Sequence, residues 1–231
     1  MGESPKPRQP WAEKAEELRK AFNQAAESYD AWYSHPQGKS VLRVEAQALD
    51  TVLPTESVGL EVGGGTGAFA RLLSQERTII CLDPSPEMLR RAATNQPTIL
   101  AAGERLPLRP QSLGFVYLAT TLEFIQNPRE ALLEAHTALR TGGTLATLTI
   151  NPRSSWGRLY LERARSGDTL FQHATLLSLE TVTALHQEAG FQPHDAFGTL
   201  ASHPWDTQVK GGRHPPDKRC GVLIIHSTKT T

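Results

Sequence analysis

Four glycines stand within five positions, directly after a short apolar run, in the stretch LEVGGGTGAF at residues 60–69. The four are Gly63, Gly64, Gly65 and Gly67. Glycine tolerates positive φ and lacks the Cβ atom that would keep a ligand away from the backbone. A plain turn between a strand and a helix needs one or two glycines, so this loop is typical of a ligand-binding loop.

The loop does not match a Walker phosphate-binding loop, because it has no Gly-Lys-Ser/Thr. A nicotinamide fingerprint, GxGxxG, would use Gly63 and Gly65 and would place glycine at 68, where Ala68 stands. Some variants of that fingerprint accept alanine, so the loop alone leaves a nicotinamide dinucleotide open. The spacing that is present is Gly63-x-Gly65-x-Gly67, preceded by Glu61.

Composition narrows the range of partners. Lysine plus arginine and aspartate plus glutamate both total 24 in 231 residues, which gives no electrostatic case for nucleic acid or an anionic membrane. The two cysteines, Cys81 and Cys220, match no zinc spacing and are expected to be free, buried thiols in a reducing compartment. Without a signal-peptide pattern or a run of ~18 apolar residues, we expect a soluble, cytoplasmic protein. Its oligomeric state stays open.

Short apolar strands alternate with helical patterns along most of the chain. Strands are predicted at 58–62, 77–83, 98–103, 113–120 and 143–150, with further candidates around 191–200 and 220–226. Helices are predicted up to about residue 74, over 84–94, over 128–140 before the Gly142–Gly143 pair, and over 179–188. This order predicts an α/β fold with a doubly wound, mostly parallel seven-stranded sheet and helices on both faces.

The flanking segments differ from this pattern. Residues 1–10 are polar and proline-rich and are predicted to be a disordered tail. Two helices are predicted over 11–33 and 40–53, so that 11–54 forms a helical segment ahead of the sheet domain at 55–231. Residues 151–177 fit no simple strand–helix unit and are interpreted as an insertion after the fifth strand.

Several segments resemble, in the right order, the motifs of class I S-adenosylmethionine (SAM)-dependent methyltransferases. They are LEVGGGTGAFA, IICLDPSPEMLRRA and the run from AAGERLPL to LRTGGTL, which together cover about 58–150. The closer resemblance is to the methyltransferase type 11 group. YDAWYSHPQGKS, NPRSSWGRLY and LFQHATLLSLETV are similar to segments of an uncharacterised prokaryotic subgroup of it. The resemblance implies a Rossmann-like catalytic domain at 55–231 with SAM as cofactor, 11–54 as a lid and 151–177 as a cap over the acceptor.

The resemblance also implies which residues hold the cofactor. Glu61 would bind the methionine amino group directly or through water. Asp83, 20 residues after Gly63, would accept hydrogen bonds from the ribose hydroxyls. For Asp83 and Glu61 the alternatives are a helix N-cap and a solvated strand end. The full predicted set is Tyr29, Glu61, Gly63, Gly64, Gly65, Thr66, Gly67, Asp83, Pro84, Ser85, Met88, Gly103, Glu104, Ala119 and Thr120.

Two positions depart from the family pattern. Ala102 stands where many relatives have an aspartate, which puts a side-chain bond to the adenine amino group in doubt. The backbone N–H of Gly103 or Glu104 remains available to read the ring. Gly114 replaces an aspartate that usually starts the fourth strand, and this loss is interpreted as structural.

Aromatic residues mark the predicted acceptor side. Tyr33, Trp156 and Tyr160 are predicted to contact the substrate, since rings with a few polar groups suit a small, partly apolar molecule. His173 is the candidate general base, because a histidine titrates near neutral pH. The alternative for His173 is a surface or hydrogen-bonded structural residue. Glu123 is a further candidate base or, equally, a solvated helix carboxylate.

These observations predict an enzyme that transfers the SAM methyl group to a small-molecule acceptor by in-line displacement, without a metal. One alternative is a nicotinamide-dependent oxidoreductase, which would call for hydride-transfer residues such as a Tyr-x-x-x-Lys pair; the sequence has none. Another is a non-catalytic SAM-binding domain with a regulatory role, with which Ala102 and Gly114 are compatible. The identity of the acceptor and of the methylated atom stay open.

Overall fold

The computed structural model describes residues 10–92 and 96–230, and in this part of the chain seven strands form one sheet. Their order across the sheet is β3-β2-β1-β4-β5-β7-β6. All neighbours pair in parallel except β7, which runs antiparallel to both β5 and β6. The strands are β1 Val58–Val62, β2 Thr78–Asp83, β3 Thr98–Leu100, β4 Leu113–Ala119, β5 Leu139–Ile150, β6 Phe191–Thr199 and β7 Val222–Lys229.

Seven α-helices are present in the described part of the chain. They are α1 Pro10–Ser34, α2 Pro36–Asp50, α3 Ala68–Leu73, α4 Pro86–Arg91, α5 Pro128–Ala138, α6 Ser155–Arg165 and α7 Leu179–Glu188. Side chains of Ser85, Asn127, Ser154 and Ser178 cap the N-termini of α4 to α7 by accepting backbone N–H bonds. The tail was predicted at 1–10, but Pro10 begins α1. Residues 1–9 and the end of the predicted helix at 93–94 lie outside the described residues.

Alternating residues of β4 fill two separate cores, one on each face of the sheet. Phe115 and Tyr117 pack with Leu49 of α2 and other residues of α2 and α3. Val116 and Leu118 belong to the opposite core, which takes in residues of α5 and α7. Because successive strand side chains point to opposite faces, a strand apolar on both sides must be covered on both. The Rossmann-like doubly wound fold predicted from the sequence is confirmed.

Several boundaries differ from the predictions, and three of the differences have an identifiable physical cause. Helix α2 begins at Pro36 instead of residue 40, because proline suits the first helical turn and the His35 side chain accepts from the Gln37 N–H. Strand β3 ends at Leu100 instead of 103, since Gly103 lies in the turn that follows.

Helix α5 ends at Ala138, and the glycine pair predicted to end it lies inside β5. Leu139 is fully buried and pairs with Leu113 of β4, ahead of a shift in register. Gly142 takes φ +75°, which allows the strand to bend back into the main ladder. Burial of Leu139 in the sheet therefore overrides the glycine signal for a helix end.

The parallel strands place the ends of β1, β2, β4 and β5 at one edge of the sheet, where α1 and α2 also pack. Helix α1 is joined to the start of α4 by a 2.7 Å hydrogen bond from Ser85 Oγ to Asn23 Oδ1. Both cysteines are free and buried, as expected. No helix in the described part of the chain is long and apolar enough to cross a membrane.

Candidate active site

A cavity of about 760 Å³ opens at this edge of the sheet. Its walls come from α1, α2, the loop after β1, the end of β2, the loop after β4, α6 and the segment that leads into β7. Ligands of open α/β sheets bind outside the carboxyl ends of the strands, and small-molecule sites usually measure ~300–1,000 Å³. Both the position and the size of this cavity therefore suit a small-molecule site.

The glycine loop forms one wall of the cavity. Gly63, Gly65 and Gly67 have φ values of +68°, +53° and +71°, a conformation that residues with a Cβ rarely adopt. A Cβ on Gly63 would lie 2.2 Å from Thr121 Cγ2. Gly63 and Gly65 line the cavity, whereas Gly64, Thr66 and Gly67 are not among its lining residues. The loop thus presents bare backbone to a ligand at two positions.

Asp83, at the end of β2, faces the cavity from beside this loop. Its Oδ2 accepts a 2.9 Å hydrogen bond from the Gly65 N–H, and its Oδ1 accepts a 2.8 Å bond from the Ser85 N–H. Burial raises the pKa of Asp83 to about 6, while these two N–H groups act to lower it. A carboxylate offers about four acceptor sites, so two remain for ligand hydroxyls.

Next to Asp83, Pro84, Ser85 and Met88 also line the cavity, as the sequence predicts. Ser85 caps α4, with its Oγ accepting from the Met88 N–H at 3.1 Å. It therefore fills the capping role that was the alternative reading for Asp83. Met88 is 1% exposed, and a Cβ built on Gly65 would lie 3.9 Å from its sulfur. Its polarizable thioether suits contact with a ring face.

The loops after β3 and β4 complete this end of the cavity. Ala102, Gly103 and Glu104 line it, and a Cβ on Gly103 would lie 2.8 Å from Val62 Cγ1. Thr120 also lines it and has φ +49°, an uncommon value for a β-branched residue. Ala119 is buried in β4 and is not a lining residue.

Glu61 lies behind the glycine loop instead of on the cavity wall. It is 2% exposed, it is not among the lining residues, and its Oε2 lies 3.7 Å from Cys81 Sγ. A Cβ on Gly64 would come within 3.3 Å of the Glu61 side chain. Burial raises the pKa of Glu61 to about 8. The structure therefore places Glu61 under the loop and not on the cavity wall, and its bond to the methionine amino group, direct or through water, stays a prediction.

A chain of aromatic rings forms another part of the cavity wall. Phe22 of α1 meets Phe124 edge-on at 5.2 Å, and Phe124 lies 6.0 Å from Phe171. Phe171 stacks on Tyr160 of α6 at 4.2 Å, and Tyr160 lies 6.3 Å from Trp156. All five line the cavity, including the predicted substrate residues Trp156 and Tyr160. They give this part of the wall a largely apolar surface.

Tyr29 and Tyr33 of α1 face the same cavity, with ring centroids 5.3 Å apart. Burial raises the pKa of Tyr29 to about 12 and the pKa of Tyr33 well above its usual range. The charge of Glu45 raises both pKa values further. Both hydroxyls therefore stay protonated at neutral pH and are able to donate hydrogen bonds.

The structure does not bring His173 to the cavity. His173 ends a 3-10 turn, Phe171–His173, and its Nε2 lies 3.4 Å from the Gln172 side chain. Phe171 is the residue of this turn that lines the cavity, since residues two apart in a tight turn point in different directions. The predicted role of His173 as a general base is thus not supported by its position.

One buried carboxyl lines the cavity, and a second lies near it behind the wall. Glu45 of α2 is 4% exposed and lines the cavity, and burial raises its pKa to about 8. Glu123 is 2% exposed, and its Oε1 accepts a 2.6 Å bond from the Ile150 N–H. Burial raises the pKa of Glu123 to about 7, and its charge also raises the pKa of Glu45.

Sequence reasoning missed Glu45, although a signal was present. Val41, Glu45 and Leu49 are spaced four residues apart on the predicted helix, and Val41 and Leu49 belong to its buried face. A carboxylate within an apolar stripe is unusual and marks a functional candidate. Among the described residues, no group of three or more His, Cys, Asp or Glu is placed to hold a metal ion.

Comparisons with known proteins agree with this geometry. The type 11 family model, described as a methyltransferase domain, matches residues 60–147. An uncharacterised protein of Methanocaldococcus jannaschii is 32% identical over 180 residues, which cover 78% of this chain and 84% of that protein. A malonyl-[acyl-carrier protein] O-methyltransferase of Laribacter hongkongensis is 30% identical over 152 residues. That match covers 58% of this chain and only 50% of that protein.

A solved structure extends the likeness to nearly the whole chain. It is a SAM-dependent methyltransferase from Thermotoga maritima, described as a possible histamine N-methyltransferase. The two chains are 28% identical with a TM-score of 0.83, covering 92% of this chain and 99% of that one. This chain therefore belongs to the class I SAM-dependent methyltransferases, whose cofactor is S-adenosylmethionine.

The residues present fit that cofactor. The bare backbone at Gly63 and Gly65 leaves room where a Cβ would intrude, and Asp83 keeps free acceptor sites on the cavity wall. Pro84, Met88 and Ala102 add an apolar surface on the same side. Family membership removes the case for a nicotinamide-dependent oxidoreductase.

Proposed function

We propose that the protein transfers a methyl group from SAM to a small-molecule acceptor that binds in the same cavity. The observation that carries the proposal is that one cavity combines two unlike sets of lining residues. One set is the glycine loop with Asp83, and the other is the row of aromatic rings from Phe22 to Trp156. A volume of about 760 Å³ leaves room for a second molecule beside the cofactor.

At the cofactor end, Asp83 would accept hydrogen bonds from the ribose hydroxyls, and Gly63 and Gly65 would allow close approach of the methionine part. Met88 and the backbone of Gly103 and Glu104 would border the adenine. When bound, SAM supplies a methyl group on a cationic sulfur. The acceptor would bond to the methyl carbon from the side opposite the sulfur, which is the leaving group. The chain contributes alignment of the two molecules and exclusion of water.

At the acceptor end, Phe124, Tyr160 and Phe171 would hold an apolar body, and Tyr29 and Tyr33 would supply hydroxyl groups. Trp156 is fixed by a 2.7 Å hydrogen bond from its Nε1 to the Ser202 carbonyl, which anchors α6 beside the cavity. Residues 11–54 and 151–177 would then act as lid and cap, as the sequence predicts. This arrangement favours a small, partly apolar acceptor.

Calorimetry with the demethylated product, S-adenosylhomocysteine (SAH), tests the cofactor end. We expect wild type to bind SAM and SAH and to show no binding of NAD. Asp83→Ala removes two bonds to a charged acceptor and should weaken SAH binding by roughly ten- to a hundredfold. Glu76→Ala is the control, because Glu76 is an exposed carboxylate outside the cavity wall.

A screen with labelled methyl groups then tests transfer. Label is expected in a low-molecular-weight product when wild type is incubated with labelled SAM and a mixed set of amines, alcohols, thiols and acids. Failure of wild type to bind either SAM or SAH would overturn the proposal at its foundation. Binding without transfer to any compound would favour the non-catalytic, regulatory alternative.

A further inference from the structure

The Glu45 carboxyl is a buried acid with no partner. It is 4% exposed, lines the cavity from α2, and forms no hydrogen bond or ion pair among the described residues. Its helix packs against β5, β6 and β7, whereas Asp83 lies on β2 at the other side of the sheet. A buried carboxyl without a partner is costly, so this one calls for a group that arrives with a ligand.

The surroundings of Glu45 are negative and aromatic. Its charge raises the pKa values of Tyr29, Tyr33 and Tyr160, which places it among those three phenols. Glu123 lies close enough for its charge to raise the pKa of Glu45, and Glu123 Oε2 is buried without a partner. Phenol ring faces attract cations, and two carboxyls add to the same preference.

The two arginines on the described part of the cavity wall already form ion pairs. Arg19 pairs with Glu16 at 2.7 Å. Arg163 pairs with Asp168 at 2.6 Å and lies over the Phe171 ring. Neither arginine is left to neutralise Glu45 or to receive an anionic substrate. The acceptor end therefore suits a molecule that brings its own positive charge on an apolar body.

We propose that the acceptor is an amine, and that Glu45 binds its nitrogen and takes a proton from it. This rests on the proposed function. Tyr160, Phe171 and Phe124 would hold the apolar body of the amine, and Tyr29 and Tyr33 would flank the nitrogen. Glu45 belongs to α2, so the predicted lid would both cover the cavity and supply the group that takes the proton.

The proton balance gives Glu45 a second task. An ammonium group has no lone pair, so one proton must pass from nitrogen to the Glu45 carboxylate before transfer. The nitrogen lone pair then forms the N–CH₃ bond as the C–S bond breaks, and the electron pair of that bond stays on sulfur. The product is a methylated ammonium ion with SAH, and the proton on Glu45 returns to water. The pKa of about 8 at Glu45 lies near that of a partly desolvated amine, which favours such a transfer.

The test uses SAH-loaded protein and matched probes that differ only in the terminal group. The first set is 2-phenylethylamine, 2-phenylethanol and 3-phenylpropanoate, and further sets carry larger or smaller bodies. Within each set, the amine is expected to bind to SAH-loaded protein more tightly than the alcohol or the acid. Glu45→Gln should weaken amine binding by about tenfold or more and leave SAH binding unchanged. Glu76→Gln, at an exposed carboxyl outside the cavity wall, is the control.

A pH series separates this role from a structural one. Amine affinity of wild type should increase from about pH 6 to about pH 9, because Glu45 ionises in this range. The slope should be lost in Glu45→Gln. The titratable groups that interact with Glu45 are Glu123, Tyr29, Tyr33 and Tyr160. Arg163 acts on Tyr160, and all five groups are kept in the variant. Glu45→Leu serves as a second variant if the amide disturbs folding.

Three results would overturn the proposal while leaving the proposed function intact. They are equal amine affinity in wild type and Glu45→Gln, preferential methylation of alcohols, thiols or acids, and no binding of any amine in the sets to SAH-loaded wild type. Failure of wild type to bind SAH would instead overturn the proposed function itself. The two failures are therefore distinguished by the first titration.

Discussion

The carboxylate of Asp83 accepts a 2.9 Å hydrogen bond from the backbone N–H of Gly65, which ties the end of β2 to the loop after β1. The second carboxylate oxygen is held by the Ser85 N–H at 2.8 Å. Both the acid and the loop are thereby oriented before a ligand arrives. A site that is already ordered loses less conformational freedom when it binds its ligand.

Affinity for SAH should decrease as the pH falls through about 6. Burial raises the pKa of Asp83 to that value, and the protonated acid is a weaker acceptor than the carboxylate. Calorimetry between about pH 5 and pH 8 measures the effect. In Asp83→Asn the affinity should be lower and nearly independent of pH. An equal pH dependence in both proteins would point to another group, of which Glu61 under the loop is the nearest candidate.

Gly63→Ala should destabilise the protein and weaken SAH binding. The added Cβ would lie 2.2 Å from Thr121 Cγ2 at a residue with φ +68°. We expect a loss of about 2–4 kcal/mol in the free energy of unfolding, from strain and from the displaced side chain. Urea unfolding measures it.

Gly167→Ala is the matched control for this substitution. Gly167 has φ +82°, but a Cβ there would meet nothing within 4 Å. The control should lose only the ~1–2 kcal/mol of the left-handed conformation and keep its SAH affinity. If both variants lost the same free energy of unfolding, the contact with Thr121 would make no measurable contribution to that loss.

Glu45→Gln should increase stability, most clearly at alkaline pH. Folded Glu45 keeps its proton up to about pH 8, whereas the unfolded chain releases it near ~4.5. Between these values the native state binds more protons, so wild-type stability falls as the pH rises. The difference in unfolding free energy between Glu45→Gln and wild type should therefore grow by at least ~1 kcal/mol from about pH 5 to pH 8. A constant difference would show that Glu45 titrates normally.

His186 should make the fold sensitive to acid. Its Nδ1 lies 2.7 Å from Ser227 Oγ and its Nε2 lies 3.1 Å from Thr147 Oγ1, which joins α7 to β5 and β7. Burial lowers the pKa of His186 to about 3. The unfolded chain binds a proton below about pH 6.5 and the native state does not, so stability is lost as the pH falls from there.

Thermal unfolding of His186→Gln checks this acid dependence. The variant should be less stable at neutral pH and should show a shallower loss between about pH 6.5 and pH 4. His203→Gln, at an exposed position, should behave as wild type. An unchanged acid slope in His186→Gln would mean that His186 does not govern this transition.

Much of the fold could be predicted because the buried strands are short apolar runs bounded by turn residues. β1 was predicted to the residue, since Val58–Val62 stands between Ser57 and the glycines. The error at Leu139 had a physical cause: its burial depends on a partner in β4, far away in the chain. A pairing of that kind leaves no mark in the local pattern.

The cofactor end of the site was more predictable than the acceptor end. Asp83 and the glycines belong to one strand–helix–strand unit, so spacing along the chain reports their distance in space. Glu45, Phe124 and Phe171 come from three segments that meet only in the tertiary structure. His173 was chosen for its chemistry, but the direction of a side chain in an irregular segment depends on packing that the sequence does not display.

The position of β7 has a consequence for the order of events during synthesis. β7 follows β5 and β6 along the chain and is synthesised after them, yet it lies between them in the sheet, and Gly221 and Val222 form part of the cavity wall. A nascent chain that stops before Val222 holds β5 as an open edge and leaves β6 without a neighbour. The active site therefore closes in one step, after β7 has been translated.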